Sequence, residues 1–314
     1  MRADYFFDRL RDFLIKPPNL SVAVQISRHY LSGIHFLPKE RKIKSQFILP
    51  LESSALQPSF DKINIADESY LEGEIKEGLK RLNFSEKNIA FLIPESCLKV
   101  FVFSFVPLPS SPKEREEIIR WRVKKQMPLL PEDTRLSFAV LRSNEEEKVL
   151  VALARASVVQ EYENCFSKIG LRVSTVGVAT LNLINLIESE EDDNFMVINL
   201  EKDYVSLITF LNSEIVLYRS KPLVREREAE LPFSKKIEGI VNEIKNTVNF
   251  IEDREKKKIS TFWVRSGIVN PEEEIFPALE QRLTVPLKAI ETPPAIGLSF
   301  EESQVLSPLI GQIL

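Results

Sequence analysis

The sequence predicts an α/β protein built from two related halves, with a smaller module inserted between them. Three observations carry this expectation. The stretches "VAVQISRHYLSGIHFL" (22–37) and "MVINLEKDYVSLITFL" (196–211) each read as two strands joined at a polar kink. They superpose without a gap at an offset of 204 − 30 = 174, which sets Tyr30 on Tyr204, Ser32 on Ser206, Ile34 on Ile208, Phe36 on Phe210 and Leu37 on Leu211. A helix and a further buried strand follow each copy. Duplication of a whole strand–meander–helix unit points to two subdomains facing each other.

The composition narrows the function. With 314 residues there is room for two domains or one divided domain with a large core. The 42 basic and 46 acidic side chains leave a net charge of −4, so no global basic field draws the chain to nucleic acid. Only 9 glycines occur in 314 residues, well under the usual share of about 7%. Loops that cradle phosphate need glycine so that backbone N–H groups can approach the anion, and the scarcity counts against a nucleotide site. Cys97 and Cys165 are far apart in sequence, which suits two buried thiols in a reducing compartment. No signal-peptide pattern is evident, and no apolar run approaches the ~20 residues of a spanning helix.

Each element has its own local reason. In residues 1–16, "MRADYFFDRLRDFLIK", Phe6, Phe7, Leu10, Phe13 and Leu14 recur at helical spacing until Pro17 and Pro18 stop the helix. Its polar face mixes arginines with aspartates and is not polybasic. Docking on its own domain is therefore preferred to a membrane-surface role. The first meander spans 22–51, with "PKER" (38–41) as a hairpin loop. A helix follows with Leu71, Ile75, Leu79 and Leu82 on one face, then the buried strand "NIAFLI" (88–93).

From "CLKVFVFSFV" to Gly170 the order becomes strand, helix, strand, strand, helix. Pro112 stands at the first turn of the first of these helices, and "NEEE" (144–147) forms the hairpin turn. After the second meander (195–223), Ile237, Ile240, Val241, Ile244, Val248 and Ile251 mark a long helix. "ISTFWVRSGI" is a buried strand and "EEEIFPALEQRL" a helix interrupted or delayed by Pro277. "TVPLKAI" is a short strand, and "PPAIGLSF" opens a final small-residue helix.

This organisation resembles the actin-like ATPase fold (ribonuclease H-like), in which each half contributes a phosphate-binding hairpin. The inserted βαββα module sits where the cell-division protein FtsA and the type IV pilus assembly protein PilM carry an extra subdomain. "VPLPSSPKEREEIIRWRVKKQMPLLPEDTRLSFAVL" (106–141) looks like the corresponding PilM stretch, and "AIGLSF" is similar to the small-residue helix closing that family. The resemblance covers nearly the whole chain. It implies a first actin-like subdomain over 1–94 opened by a helix at 2–16, the inserted subdomain over 95–175, and a second half over 176–314 whose last helix returns to the first.

Working members of that fold carry Asp–x–Gly in each hairpin: the acid holds water around the metal and the glycine exposes N–H groups to phosphate. The matching positions here are Gln25 and Ser27, then Asn199 and Glu201. Both acids are amides, and Glu201 would repel a triphosphate. Arg28 and Lys202, at equivalent places, either meet an anion or are solvated hairpin charges. In place of a double glycine after "STFWV" stands only Ser266–Gly267, where Gly267 ends the strand or permits a turn. The expectation is a pseudo-ATPase that needs no cofactor, with ATP and Mg²⁺ binding weak or lost.

The resemblance further implies a cytoplasmic scaffold in the inner-membrane platform of a type IV pilus, held at the membrane through partners and not by a span of its own. The implied partner is a PilN-like inner-membrane protein whose cytoplasmic N-terminal tail inserts into a groove beside the module. Candidates for that groove are Phe103, Phe105, Leu108, Ile118, Trp121 and Arg122, with Phe101, Ile119, Arg120 and Val123 as neighbours, and some of these serve as plain core. Self-association stays open. Two alternatives remain at this point. One is a nucleotide-binding FtsA-like ATPase. The other is the cytoplasmic actin-like component of a type II secretion platform, which usually continues into a spanning helix, whereas this chain ends at Leu314.

Overall fold

A computed structural model describes residues 20–142, 146–188, 194–223, 232–268 and 274–314. The expected helix at 2–16, the first two residues of the "NEEE" turn (144 and 145) and the charged run "REREAE" (225–230) lie outside these residues.

Each half is a five-stranded mixed sheet. The first comprises β1 (Val22–Ile26), β2 (Tyr30–Leu37), β3 (Lys42–Pro50), β4 (Asn88–Leu92) and β8 (Arg172–Gly177), in the order β3-β2-β1-β4-β8. The second comprises β9 (Phe195–Leu200), β10 (Tyr204–Leu211), β11 (Glu214–Pro222), β12 (Thr261–Ser266) and β13 (Leu287–Ala289), in the order β11-β10-β9-β12-β13. The gapless repeat extends to hydrogen-bond register: Gln25 lies opposite Ser32, and Asn199 opposite Ser206. Even the bulges coincide, at His35/Phe36 and at Thr209/Phe210. Bulges re-aim the side chains beyond them, so their shared position argues for one duplicated template.

Helix α1 (Glu68–Leu82) covers the first sheet with Leu71, Ile75, Leu79 and Leu82. Asp67 caps its start by accepting from the Tyr70 N–H at 2.9 Å, and Asn83 ends it in the left-handed region at φ 46°. Three further helices are α2 (Pro112–Gln126), α3 (Ala156–Ser167) and the five-residue α4 (Ala179–Leu183). Helix α5 (Phe233–Glu255) repeats the role of α1 on the second sheet, burying Ile237, Ile240, Val241, Ile244 and Ile251. Two elements are shorter than the sequence suggested. Helix α6 (Ile275–Glu280) starts late, so that Pro277 sits in its first turn, where the missing N–H is harmless. "PPAIGLSF" precedes the last helix instead of opening it. Pro293 stays extended and Gly297 turns left-handed at φ 76°. Helix α7 (Phe300–Ile313) then begins from a reciprocal Ser299–Glu302 capping box.

The inserted module is a three-stranded sheet ordered β5-β7-β6, built from β5 (Leu98–Phe105), β6 (Thr134–Arg142) and β7 (Glu147–Arg155), with α2 on one face. Alternation divides its side chains cleanly. Phe103, Val149, Val151 and Leu153 pack under Ile119 and Val123 of α2. Leu98, Val100, Val102, Ala139, Leu141 and Leu150 pack against Phe195, Ile208, Phe210 and Ile215 of the second half. Helix α3, which closes the β–α–β–β–α order, turns back to the first half and packs Val158, Tyr162 and Phe166 against its sheet. An ion pair at 2.9 Å between Lys148 and Glu214 reinforces the junction of β7 with β11. The module is a bridge, anchored in one half and buried against the other.

Phe47 of β3 shows how tightly α1 is seated. A Cβ added at Gly33 or at Gly78 would lie 2.4 Å from its ring, so the ring is held between two bare backbones. Gly78→Ala is therefore expected to lower unfolding free energy by about 1–3 kcal/mol, the usual cost of overpacking. Gly73→Ala on the same helix meets open space and is expected to raise it by up to ~1 kcal/mol. Urea unfolding of the two variants checks both signs.

Candidate functional site

The two equivalent turns, β1–β2 and β9–β10, meet at the centre of the molecule. Glu201 spans them. Its carboxylate accepts from the Tyr30 hydroxyl at 2.7 Å and from Ser27 Oγ at 3.3 Å. It also accepts from Arg265 of β12, and the two side chains are 1% and 0% exposed. A buried charge pair of this kind costs several kcal/mol in desolvation and holds only when its remaining donors are met.

Arg265 meets that condition completely. A guanidinium carries five N–H donors. Its Nε donates to the Gln304 carbonyl at 2.6 Å. Nη1 donates to Asn199 Oδ1 at 2.9 Å and to Glu201. Nη2 donates to the Tyr30 hydroxyl at 2.8 Å and to the Val305 carbonyl at 3.0 Å. The Gln304 carbonyl is open to a distant donor because Pro308, four residues on, has no N–H to offer it. Burial disfavours the Arg265 charge, but Tyr30 and Glu201 beside it hold its pKa above the ordinary value. Burial likewise pushes the Tyr30 phenol upward, so it stays protonated and donates to Glu201.

Glu95 continues the network. It accepts from the Thr180 backbone N–H at 2.5 Å and from the Tyr218 hydroxyl at 3.0 Å. That N–H belongs to the first turn of α4, where it lacks an intrahelical partner, so the segment entering the module caps a helix 85 residues away in sequence. Thr180 Oγ1 in turn accepts from Asn199 Nδ2 at 2.9 Å.

The residues singled out by sequence take defined places here. Gln25 is buried and donates to the Tyr30 hydroxyl at 3.1 Å, while its Oε1 is buried without a partner. Asn199 spends both ends of its amide, and Ser27 is bonded to Glu201. Gly267 follows β12 beside the ion pair. A Cβ there would lie 2.5 Å from Glu201 Oε1 and 2.6 Å from Arg265 Nη1, so the bare backbone makes room for the ion pair. Arg28 lines a cleft beside the turns, and its Nε is buried without a hydrogen bond. Lys202 is half-buried at the equivalent position. As arranged here, these side chains do not fit a magnesium-bound triphosphate: the carboxylate between the turns is already satisfied by Arg265, Tyr30 and Ser27. Sequence reasoning missed Arg265, Tyr30, Glu95 and Thr180. The signal for Arg265 was present, as a cation in the middle of the apolar strand "TFWVRS" has to find a buried partner.

The module carries two open clefts. One, of about 480 Å³, lies between α2 and β6 and is lined by Trp121, Arg120, Lys124, Leu130 and Leu136. Of the groove candidates only Trp121, 58% exposed, reaches it. Phe103 and Leu108 are buried under α2, Ile118 and Phe105 pack beside them, and Arg122 lies over the Phe103 ring at 5.7 Å. The larger cleft, about 920 Å³, opens where the loop 58–61, β5 and the strands β10 and β11 converge. Phe60, Phe101, Tyr204 and Tyr218 give it an apolar wall, and Arg28, Lys99, Arg219, Lys221, Asp61 and Asp203 give it charges of both signs. One further cluster, Glu68, Glu72 and Cys165, has metal-ligand spacing, but Lys168 Nζ lies 2.7 Å from both carboxylates and pairs with them.

Two half-sheets of identical topology joined through a central cleft define the actin-like ATPase fold. No known family profile matches the sequence, and no curated protein is similar to it in sequence. Among solved structures, the chain is similar to one in the PilM–PilN type IV pilus biogenesis complex, at TM-score 0.75 and 19% identity over 94% of this chain and 97% of that one. A Bacteroides thetaiotaomicron protein with an actin-like ATPase fold and unknown function gives TM-score 0.54 and 13% identity, over 95% and 98% of the two chains. The cytoplasmic domain of EpsL, an inner-membrane component of the Vibrio cholerae type II secretion system, gives 0.53 and 8%, over 92% and 94%. Among the described residues, no helix is long and apolar enough to cross a membrane.

Two outcomes test the site's energetics. Arg265→Met strands the Glu201 carboxylate and is expected to cost about 3–5 kcal/mol of unfolding free energy, most of it recovered when Glu201→Leu is added. Urea unfolding of the single and double variants checks this. Asp203 behaves oppositely. Burial, with Glu201 adding to it against the pull of Arg28, raises its carboxyl to about 6. The protonated form therefore stabilises the fold below the unfolded value near ~4, and that contribution is lost as pH rises through about 6. Asp203→Asn is expected to exceed wild type in stability at pH 7 by up to about 2 kcal/mol, with the gap closing below pH ~4, as read from denaturation across pH.

Proposed function

We propose that this protein is a cytoplasmic, non-hydrolysing scaffold in the inner-membrane platform of a type IV pilus, and that it holds the cytoplasmic tail of a PilN-like membrane protein. The observation that carries this reading is Glu201, hydrogen-bonded to both Ser27 and Tyr30 across the two turns and neutralised by Arg265. A hydrolytic cycle needs these turns to part around a triphosphate and a metal. Here they bond to each other, and the carboxylate between them would repel phosphate once deprived of its arginine. The actin-like framework is retained without the group it would open and close upon. The likeness to a chain of the PilM–PilN complex supports the same reading.

The larger cleft is the seat of the partner segment. An extended peptide there meets an apolar wall of aromatic rings, with Lys99, Lys221 and Asp61 among the charges that line it. Three parts of the molecule line the cleft, so an occupant would read their relative position as well as their chemistry. The Trp121 cleft touches only the module and offers no such reading.

Calorimetric titration tests both halves of the proposal. Millimolar ATP with Mg²⁺ is expected to give no binding heat and no rise in melting temperature, whereas a ligand at a hundredfold its dissociation constant would add about 2.7 kcal/mol. A synthetic PilN-type cytoplasmic peptide is expected to bind. Phe101→Asp should weaken it at least about tenfold, as burying an unpaired carboxylate demands, while Trp121→Ala should leave it unchanged. Saturable ATP binding, or peptide binding indifferent to Phe101, would overturn the assignment.

A further inference from the structure

A strand at the rim of a sheet presents unpaired main-chain groups, and the rims of this molecule are not protected alike. Strand β3, at the edge of the first half, carries Lys42 and Lys44 and a bulge opposite His35/Phe36. Strand β11, at the edge of the second, carries Arg219 and Lys221 and a bulge opposite Thr209/Phe210. Charges and bulges of this kind prevent pairing with another edge. Strand β6 of the module has neither a proline nor a bulge. It runs beside β7 in unbroken register for nine residues, Thr134 to Arg142, and forms one edge of the order β5-β7-β6.

One hydrogen bond fixes which of its groups face outward. The Ala156 N–H donates to the Asp133 carbonyl at 2.8 Å. Bonded and non-bonded pairs alternate along an antiparallel ladder. Arg135, Ser137, Ala139 and Leu141 therefore bond to β7, and Leu136, Phe138 and Val140 turn their N–H and C=O groups away from it. Among the described residues nothing meets those outward groups. The side chains of the same three residues are half-buried on the α2 face. Beside them lies the Trp121 cleft, where the two acids Glu117 and Glu132 balance the two cations Arg120 and Lys124.

The other face of β6 is covered at one end only. Ala139 and Leu141 are buried against the second half, whereas Arg135 and Ser137 are exposed. A second β6 laid antiparallel about a two-fold axis at Phe138 overlaps the whole strand. It sets Arg135 opposite Leu141, Ser137 opposite Ala139, Leu136 opposite Val140 and Phe138 opposite Phe138. The open end of each copy then lies beside the covered end of the other, so the two second halves are staggered and not set against each other. The three outward residues of each strand supply about six main-chain hydrogen bonds. No like charges meet across the pair, and a balanced rim does not repel its own copy.

We propose that the β6 edge is a contact between two copies of this chain, each presenting the same patch to the other and joining two three-stranded sheets into one of six. Strand β5, at the opposite edge of the module sheet, lines the larger cleft, so both copies keep that cleft open.

Sedimentation of the full chain over a range of concentrations tests this. Wild type is expected to pass from monomer to dimer as concentration rises. Phe138→Lys and Phe138→Glu, each alone, set like charges opposite one another and should weaken the dimer at least about tenfold. An equimolar mixture of the two should restore it, which a defect confined to one chain cannot do. Val140→Pro removes an N–H that β7 does not use. It should weaken the dimer at least about tenfold, while the melting temperature of dilute monomer stays within about 4 °C of wild type. A chain that is monomeric at every concentration would overturn the proposal and leave the edge to a strand of another protein. A dimer indifferent to Val140→Pro and to both Phe138 changes would place the contact elsewhere and overturn it too. So would a mixture that fails to associate although each Phe138 variant is folded.

Discussion

The structure depends on one dry guanidinium. Arg265 stands on a central strand of the second half, and its five donors reach β2 through Tyr30, β9 through Asn199 and Glu201, and α7 through two main-chain carbonyls. The acceptors come from three separate parts of the chain, β2, the end of β9 with its turn, and α7, so their simultaneous satisfaction fixes the halves in one relative position. A looser arrangement would leave part of a buried cation unpaired, at a cost far above the strength of any single bond in the set. The central cleft is closed by chemistry of the same kind that would otherwise hold a ligand: an anion between two turns, with a cation to balance it.

Two further ties share this load. The module turns one face of its sheet to α2 and the other to the second half, so it cannot follow the first half away from the second without exposing Val100, Val102 and Leu150. Helix α7 lies against the first sheet through Leu306, Leu309 and Ile310 and against α4 at Gly311, where a Cβ would lie 2.1 Å from the Asn182 carbonyl oxygen. The three ties differ in kind: a polar network, an apolar sheet face and a close helix crossing.

Much of this was legible in the sequence, and the rest was not for definable reasons. The meanders, α1, α5 and the module's strand order follow from periods of two and 3.6, which are local properties of the chain. Strand β8 escaped because its half-exposed, short pattern has no clear alternation, and α4 because five residues do not complete a period. The start of α7 is readable from Ser299 and Glu302, a capping-box pair at the right spacing. At the site, Gln25 and Asn199 stand where the resemblance places acids, and the structure buries both amides. The network around them could not be read, because the partner of a buried charge is chosen by tertiary contact: Glu201 looked like a repulsive defect until Arg265, 64 residues away, came to its side. The direction of Phe103 was equally hidden, since alternation separates two faces without saying which is covered.

Pro308 has a consequence in the timing of biosynthesis. By removing its own N–H it leaves the Gln304 carbonyl for Arg265, which the ribosome has delivered 39 residues earlier. At typical translation rates that interval is roughly 2–8 s. During it the first half, the module and most of the second half exist, but the arginine lacks its main-chain acceptors and water must stay at the centre. The last helix thus supplies the final two acceptors of the network. A chain cut short before Gln304 keeps Tyr30, Asn199 and Glu201 for its arginine but lacks both main-chain acceptors.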